Sequence, residues 1–329
     1  MLHLPCFRHL RAFLVCSFSC LLIATTAKAE TEIRLLTIGN SFAENVTEFL
    51  PQLAAAHGVK LTISRANLGG TGLNRHTRHL KIAQTDPSDP EGRPYRNRSL
   101  PDQPKRSLIE ILEPDTWDYI TIQQFSGDSY KPESYEPYAG ELIAAIRQYA
   151  PSAEILVLQT WAYRTDHPWF LDPAQQRQHA AGETLLTQAV MYASIVDAYD
   201  QIATRYGLRQ LPVGDAFHLA RQLPEWSYTF PDPHFDYDHP IKGQRPDQPG
   251  SLIAGWYWGT NRETGADEFR LDAKHANTAG RYLGAHVLLE VMSDRAGNAP
   301  LWWPESLTAA QAASLQRVAH AAVTARETP

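Results

Sequence analysis

The sequence predicts an α/β fold, a three-layer αβα sandwich built on a parallel sheet, from two observations. Short strand-type apolar runs alternate with helix-type stretches along most of the chain. Strict alternation of this kind implies parallel strands with helices on both faces. In addition, the first strand run stops at Gly39 and passes straight into a helical pattern, as a β-α unit does.

Taken in order, Ile33, Leu35, Leu36 and Ile38 make the first strand, 33–38. Phe42, Val46, Phe49, Leu50 and Leu53 then share one helical face, predicting a helix over 44–57. Pro51 is awkward inside it and marks a kink or a late start. Residues 60–66, 118–123 and 154–159 read as the next three strands, with Leu211-Pro-Val213 a weaker fifth. Helices are expected at 105–112, 134–149 and 177–206, and in the tail at 276–294 and 307–326. Two segments break the rhythm. Residues 85–106 are rich in proline, arginine and aspartate; residues 224–268 are long, irregular and aromatic. Insertions of such length in a compact domain are functional or disordered, and the aromatic content of the second argues for order.

The first 29 residues read as a signal peptide rather than as part of the fold. His3, Arg8 and Arg11 make a basic start, Phe13 to Ala24 is an apolar core, and Ala27-Lys-Ala29 is a cleavage signal before Glu30. That core falls short of the ~20 residues a membrane span needs. The expectation is an exported protein, periplasmic or secreted, with no membrane anchor and one domain over 30–329. All three cysteines (Cys6, Cys16, Cys20) lie in the leader, so the mature chain would hold neither disulfides nor thiol nucleophiles. Cleavage removes Arg8, Arg11 and Lys28 and no acid, taking the net charge from −6 to −9. An acidic chain of this kind argues against nucleic acid as a partner.

Chemistry-bearing residues collect at the predicted strand ends, where open α/β sheets bind ligands. Ser41 follows the first strand; its plain reading, with Asn40, is a helix cap. Asn67-Leu-Gly-Gly-Thr-Gly72 follows the second, with glycines that allow a backbone N–H to approach a substrate oxygen or that simply make a turn. Gln123-Gln124 follows the third, two amides that each need several partners if buried. Gln159-Thr-Trp161 ends the fourth, and either lines the cleft or is an ordinary exit from the strand. Near the end of the chain, Asp272 and His275 stand three residues apart, suited to orient a base toward a nucleophile or, more plainly, to start a helix capped by Asp272. The run Asp232 to His239 reads as a solvated acidic loop rather than a cation site, since it lacks the glycine and glutamate of a calcium loop.

Four of these segments, Gly39-Asn-Ser41, Asn67 to Gly72, Gln123-Gln124 and Asp272-x-x-His275, together and in order resemble the SGNH (GDSL-type) hydrolase superfamily. The likeness is greatest to a bacterial branch that reads G-N-S-F where most members read G-D-S. It implies the SGNH, flavodoxin-like form of the αβα sandwich. It further implies Ser41 as nucleophile, His275 as base, Asp272 as its orienting partner, and the backbone N–H of Ser41 with that of Gly70 or Gly72 as oxyanion donors. The third block departs from the usual G-x-N-D, and the resemblance carries the amide donor to Gln124, with Gln123 close behind. The activity so implied is an exported serine esterase acting on small acyl esters, acetyl above all, on carbohydrate, with no cofactor and no metal. Two alternatives stand beside it: a lipid or other acyl-ester hydrolase, and a glycan-binding protein on a hydrolase scaffold. Trp256 and Trp258 are the expected sugar-stacking rings, Trp302 and Trp303 a further pair.

Overall fold

A computed structural model describes residues 1–2, 31–96, 102–113, 116–180, 184–293 and 300–327. All elements below belong to the unit Thr31–Pro329. The signal-peptide expectation falls on residues 3–29 and lies outside the described residues.

The chain runs β1 (Thr31–Gly39), α1 (Ser41–Thr47), α2 (Leu50–Ala56), β2 (Val59–Asn67), α3 (Leu73–Thr85), α4 (Leu108–Leu112) and β3 (Tyr119–Ile122). It continues through α5 (Tyr138–Tyr149), β4 (Glu154–Leu158), α6 (Pro168–Leu171), α7 (Pro173–Gln178), α8 (Gln188–Tyr206), β5 (Arg209–Leu211) and α9 (Val213–Ala220). A hairpin of β6 (Ile253–Thr260) and β7 (Asp267–Ala276) precedes α10 (Thr278–Ser293) and α11 (Ala309–Glu327).

The five-stranded sheet has the order β2-β1-β3-β4-β5, with every pairing parallel. Its centre is buried on both faces: Leu35, Leu36 and Ile38 of β1 and Ile120 of β3 are fully enclosed, as parallel strands between two helical layers must be. One layer gathers around α10, which packs on α1, α2, α9 and α11; α3 packs on α4 and α5. The chain leaves β1 for β2 on one side and returns to β3 on the other. The carboxyl ends of β1 and β3 therefore form the switch point at which such sheets open a crevice.

Local chemistry accounts for most departures from the expected elements. The single helix over 44–57 is two, because Pro51 cannot continue a helix and sits in the first turn of α2. The fifth strand ends at Leu211, since Pro212 has no N–H for the ladder and instead precedes α9. The helix expected over 177–206 starts only at Gln188, where the Thr187 side chain accepts the Val190 N–H. Helices α3 and α9 and the β6–β7 hairpin, which begins inside the aromatic segment and runs past its end, stand where the sequence pattern predicts no regular element.

Candidate active site

Ser41 is the first residue of α1, directly past the carboxyl end of β1. The turn that presents it is built by Asn40, which is buried. Asn40 Oδ1 accepts the Phe42 N–H (3.0 Å) and the Gln123 Nε2–H (2.9 Å), and Asn40 Nδ2 donates to the Thr71 carbonyl (2.9 Å). An aspartate here would face that carbonyl with a second acceptor, which is a physical reason for asparagine before the serine. On the other side of the turn, the Gly39 carbonyl accepts the Leu68 N–H (2.9 Å) and meets His76 Nε2 at 3.0 Å. His76 is fully buried, and desolvation lowers its pKa to about 4, so it is neutral and donates from Nε2.

The partners of Ser41 arrive from the far end of the chain. Ser41 Oγ lies 2.8 Å from His275 Nε2, and His275 Nδ1 lies 2.8 Å from Asp272 Oδ2. Asp272 Oδ1 accepts the backbone N–H groups of Lys274 (3.1 Å) and His275 (3.0 Å). Partial burial alone would raise the Asp272 carboxyl, but these bonds outweigh it and hold the group below the usual carboxylate range. The ionised Asp272 therefore fixes the proton on Nδ1 and leaves Nε2 to accept the serine O–H. The expected helix cap is not what forms here. Asp272 and His275 lie on β7, and the cap of α10 is Asn277, whose Oδ1 accepts the Gly280 N–H at 3.1 Å.

Three contacts hold that strand end against the sheet. Asn45 Oδ1 accepts the Ala276 N–H (2.9 Å), the Arg164 N–H donates to the Ala273 carbonyl (2.9 Å), and Trp161 Nε1 donates to the Lys274 carbonyl (2.8 Å). The Trp161 ring is stacked between Phe42 (4.1 Å) and Phe217 (4.6 Å), and Phe42 lies 5.9 Å from the His275 ring. Trp161 is thus a buried strut between the sheet and the histidine strand. Gln159 turns away from it, exchanging two hydrogen bonds with Asp215.

The oxyanion role expected of Gln124 or Gln123 is corrected by the geometry. Gln124 Nε2 donates to the Ser134 carbonyl (2.8 Å) and to Ser134 Oγ (3.0 Å), while Gln123 Nε2 donates to Asn40 Oδ1 and to the Gln124 carbonyl (3.1 Å). An amide nitrogen has two N–H groups, so neither side chain has one left for an oxyanion. What both amides do is brace loops with their oxygens. Gln123 Oε1 takes the Ala43 N–H (3.1 Å) and Gln124 Oε1 takes the Leu73 N–H (3.0 Å). Each oxygen lies where a side chain would otherwise be: a Cβ on Gly39 would stand 2.8 Å from Gln123 Oε1, and one on Gly72 would stand 2.6 Å from Gln124 Oε1. Those two glycines are needed for close approach by an amide. The backbone N–H groups of Ser41 and Gly72 have no hydrogen-bond partner among the described residues. Gly70, in the left-handed region at φ +61°, shapes the turn before Gly72.

The aromatic insertion is ordered differently from the stacking platform expected of it. Trp256 donates Nε1–H to Asp166 (2.9 Å) and stacks on Phe269 (5.0 Å); Trp258 donates to the Gln244 carbonyl (2.7 Å) and leans on the same ring. Nearer His275, and missed by sequence reading, stands another group. Lys274 Nζ lies over the Tyr163 ring (5.3 Å) and the Trp169 ring (5.6 Å), and half-buried Trp169 stacks on His179 at 3.7 Å. Ser126 of the third block bonds the Tyr163 hydroxyl at 3.0 Å. In the 232–239 loop, Asp232 and Asp236 accept backbone N–H groups, and among the described residues no cluster of three or more acidic, histidine or cysteine side chains converges as a metal site.

The sequence pattern of a domain of unknown function, DUF4886, matches residues 34–222, which include Ser41 and both glutamines but end before Asp272. The chain is similar to the crystal structure of a DUF4886 family protein from Bacteroides uniformis ATCC 8492, at 25% identity and a TM-score of 0.64, over 89% of this chain and 95% of that one. It is also similar to a putative GDSL-like lipase from Parabacteroides merdae ATCC 43184, at 11% identity and a TM-score of 0.42, over 81% and 98% of the two chains. A third likeness is to phospholipase A1 from Streptomyces albidoflavus NA297, at 11% identity and a TM-score of 0.40, over 78% and 97%. No curated protein matches the chain.

Proposed function

We propose that this chain, which belongs to the DUF4886 family, is a serine hydrolase of acyl esters. The observation that carries the reading is the continuous relay from Ser41 Oγ through His275 to Asp272, with 2.8 Å at each step. His275 Nε2 accepts the serine proton as Oγ attacks the acyl carbon, and the imidazolium so formed is stabilised by Asp272. The same proton then passes to the departing alcohol, leaving an acyl-serine that water cleaves by the reverse sequence. The Ser41 and Gly72 N–H groups are suited to the oxyanion, since the Asn40–Thr71 bond brings their two loops together. A glycan-binding scaffold without turnover has no use for a serine already bonded to an oriented imidazole.

The finer reading is a short acyl group, acetyl above all, on a carbohydrate. Phe42, 5.9 Å from the His275 ring, is packed from behind by buried Trp161 and Phe217 in a stack, and such filled space beside the histidine favours a short acyl chain over a long one. Trp169 is the ring chosen for the sugar: His179 stacks on it, and Lys274 Nζ lies over it at 5.6 Å, where a sugar would replace the ammonium. Export after cleavage behind Ala29 belongs to the same reading and rests on the sequence of residues 1–29; amino-terminal sequencing of the exported protein should begin at Glu30.

The test is acyl release by the purified protein from chromogenic acetate and octanoate esters and from acetylated oligosaccharides. Ser41→Ala and His275→Ala should each remove several orders of magnitude of turnover, and the double variant should lose little more. Additive losses, or turnover that survives Ser41→Ala, would overturn the proposal. Faster release of octanoate than of acetate would make the protein a lipid-type esterase instead.

A further inference from the structure

The turn after β4, which holds the Asp272–His275 segment in place, also walls a separate cavity of about 200 Å³. Arg164, Arg221, Trp226, Leu252 and Ile253 line it beside polar side chains such as Gln188 and Ser251, and Ser41, Asp272 and His275 do not. Two arginines reach this space, and among the described residues no carboxylate lines it.

The two cations differ in one respect. The Arg164 charge is already matched: Nε and Nη2 bond both oxygens of buried Asp166 (2.8 and 2.6 Å), Nη1 bonds Gln248 (2.8 Å), and the guanidinium lies 4.1 Å from the Tyr228 ring centroid. Arg221, half-buried just past the end of α9, has one acceptor, the Ala162 carbonyl at 2.9 Å from Nη2, lies 5.8 Å from the Phe217 ring centroid, and has no ion pair among the described residues. A guanidinium carries five N–H donors in a planar fork, and those of Arg221 not bonded to Ala162 are open to the cavity or to solvent. Burial lowers the Arg221 pKa to about 10, with no neighbouring carboxylate to restore it, and the group is still cationic at neutral pH. An uncompensated charge in a partly enclosed cavity attracts a counter-ion.

We infer that this cavity binds a small monocarboxylate, held by the Arg221 guanidinium with its short carbon tail against Trp226, Leu252 and Ile253. One unmatched positive charge calls for one negative charge, and the planar fork suits a planar carboxylate. At roughly 30 Å³ per water-sized group, the volume takes a carboxylate and a few carbons. Trp226, Leu252 and Ile253 give a carbon tail an apolar side that a phosphate would leave unused. The occupant would lie against the turn from which Trp161 and Arg164 hold the carbonyls of Lys274 and Ala273, so the site is placed to act on the presentation of His275. Carboxylate binding here does not depend on ester hydrolysis.

The experiment is calorimetric titration at pH 7 with butyrate and, separately, inorganic phosphate, on the full protein and three variants. Butyrate should bind the native protein and Ser41→Ala alike, and at least about tenfold more weakly to Arg221→Gln. Ser227→Phe, which fills the cavity from its exposed edge and leaves Arg221 intact, should bind no butyrate; it decides the matter if Arg221→Gln does not fold. Unchanged binding in either cavity variant, no binding to the native protein at millimolar butyrate, or tighter binding of phosphate would overturn the site. Loss of binding in Ser41→Ala would place butyrate in the catalytic cleft instead, which also overturns it.

Discussion

Asn45 Oδ1 accepts the backbone N–H of Ala276 at 2.9 Å, joining the helix that carries Ser41 to the residue beside His275 across 231 positions of chain. The bond is buried, and it is the direct tie between nucleophile helix and histidine strand. The two side chains that must share a proton thus meet through an asparagine that does no chemistry.

We predict that Asn45→Ala lowers ester turnover by up to about 10²-fold, because a small displacement of a reacting group is enough for that. The Ala276 N–H would lose its acceptor in a buried place, at about 1–3 kcal/mol of stability. Asn45→Asp keeps an acceptor at Oδ1 and should restore most of the activity. Equal kcat loss in Asn45→Asp and Asn45→Ala would show that Asn45 does not act by positioning His275.

Gln124→Ala should behave as a structural lesion rather than as the loss of an oxyanion donor. It strands the Leu73 N–H and leaves a space against Gly72, so the unfolding midpoint should fall along with activity. A variant as stable as the native protein but selectively slow in the chemical step would restore the oxyanion role to Gln124.

His76 sets an acid limit on stability. Its folded pKa, about 4, lies below the ordinary 6.5, so the unfolded chain takes up the proton first as the pH falls. Stability from this group is fully present above about 6.5 and is lost progressively down to about 4, a total of about 3 kcal/mol. Denaturant unfolding at pH 7 and pH 5 should show the loss, and His76→Gln, which keeps a donor for the Gly39 carbonyl without titrating, should flatten it. An equally steep profile in that variant would assign the acid sensitivity to other groups, such as buried His167 and His286.

Trp169→Ala should impair release from acetylated oligosaccharides while sparing a chromogenic acetate. Trp256→Phe, which breaks the bond to Asp166, should affect both substrates alike because it loosens the hairpin behind the site. A reversed pattern would move the sugar platform back to the hairpin.

The positions of the strands along the chain and the place of Ser41 were legible in sequence because both depend on local pattern. Apolar runs of strand length, a glycine stop and a following helical face are properties of neighbouring residues, and they set β1 to β4 nearly to the residue. The Asp272–His275 pair was singled out in sequence by residue type and by the resemblance, since a carboxylate and an imidazole three apart are a weak pattern by themselves. The hairpin that carries them was not. Trp256, Trp258 and Phe269 read as loose aromatics until β6 and β7 pair and stack them, and Arg164 and Asp166 fix that pair from the turn after β4.

What the sequence determined by itself is which residue types stand at which strand ends, because side-chain chemistry and short-range periodicity need no third dimension. What only the tertiary structure decided is which way those side chains turn. Gln123 and Gln124 carry the right atoms at the right strand end for an oxyanion. Their N–H groups nevertheless point at Asn40 and Ser134, because a buried amide satisfies all its bonds at once and the nearest acceptors came from elsewhere in the chain.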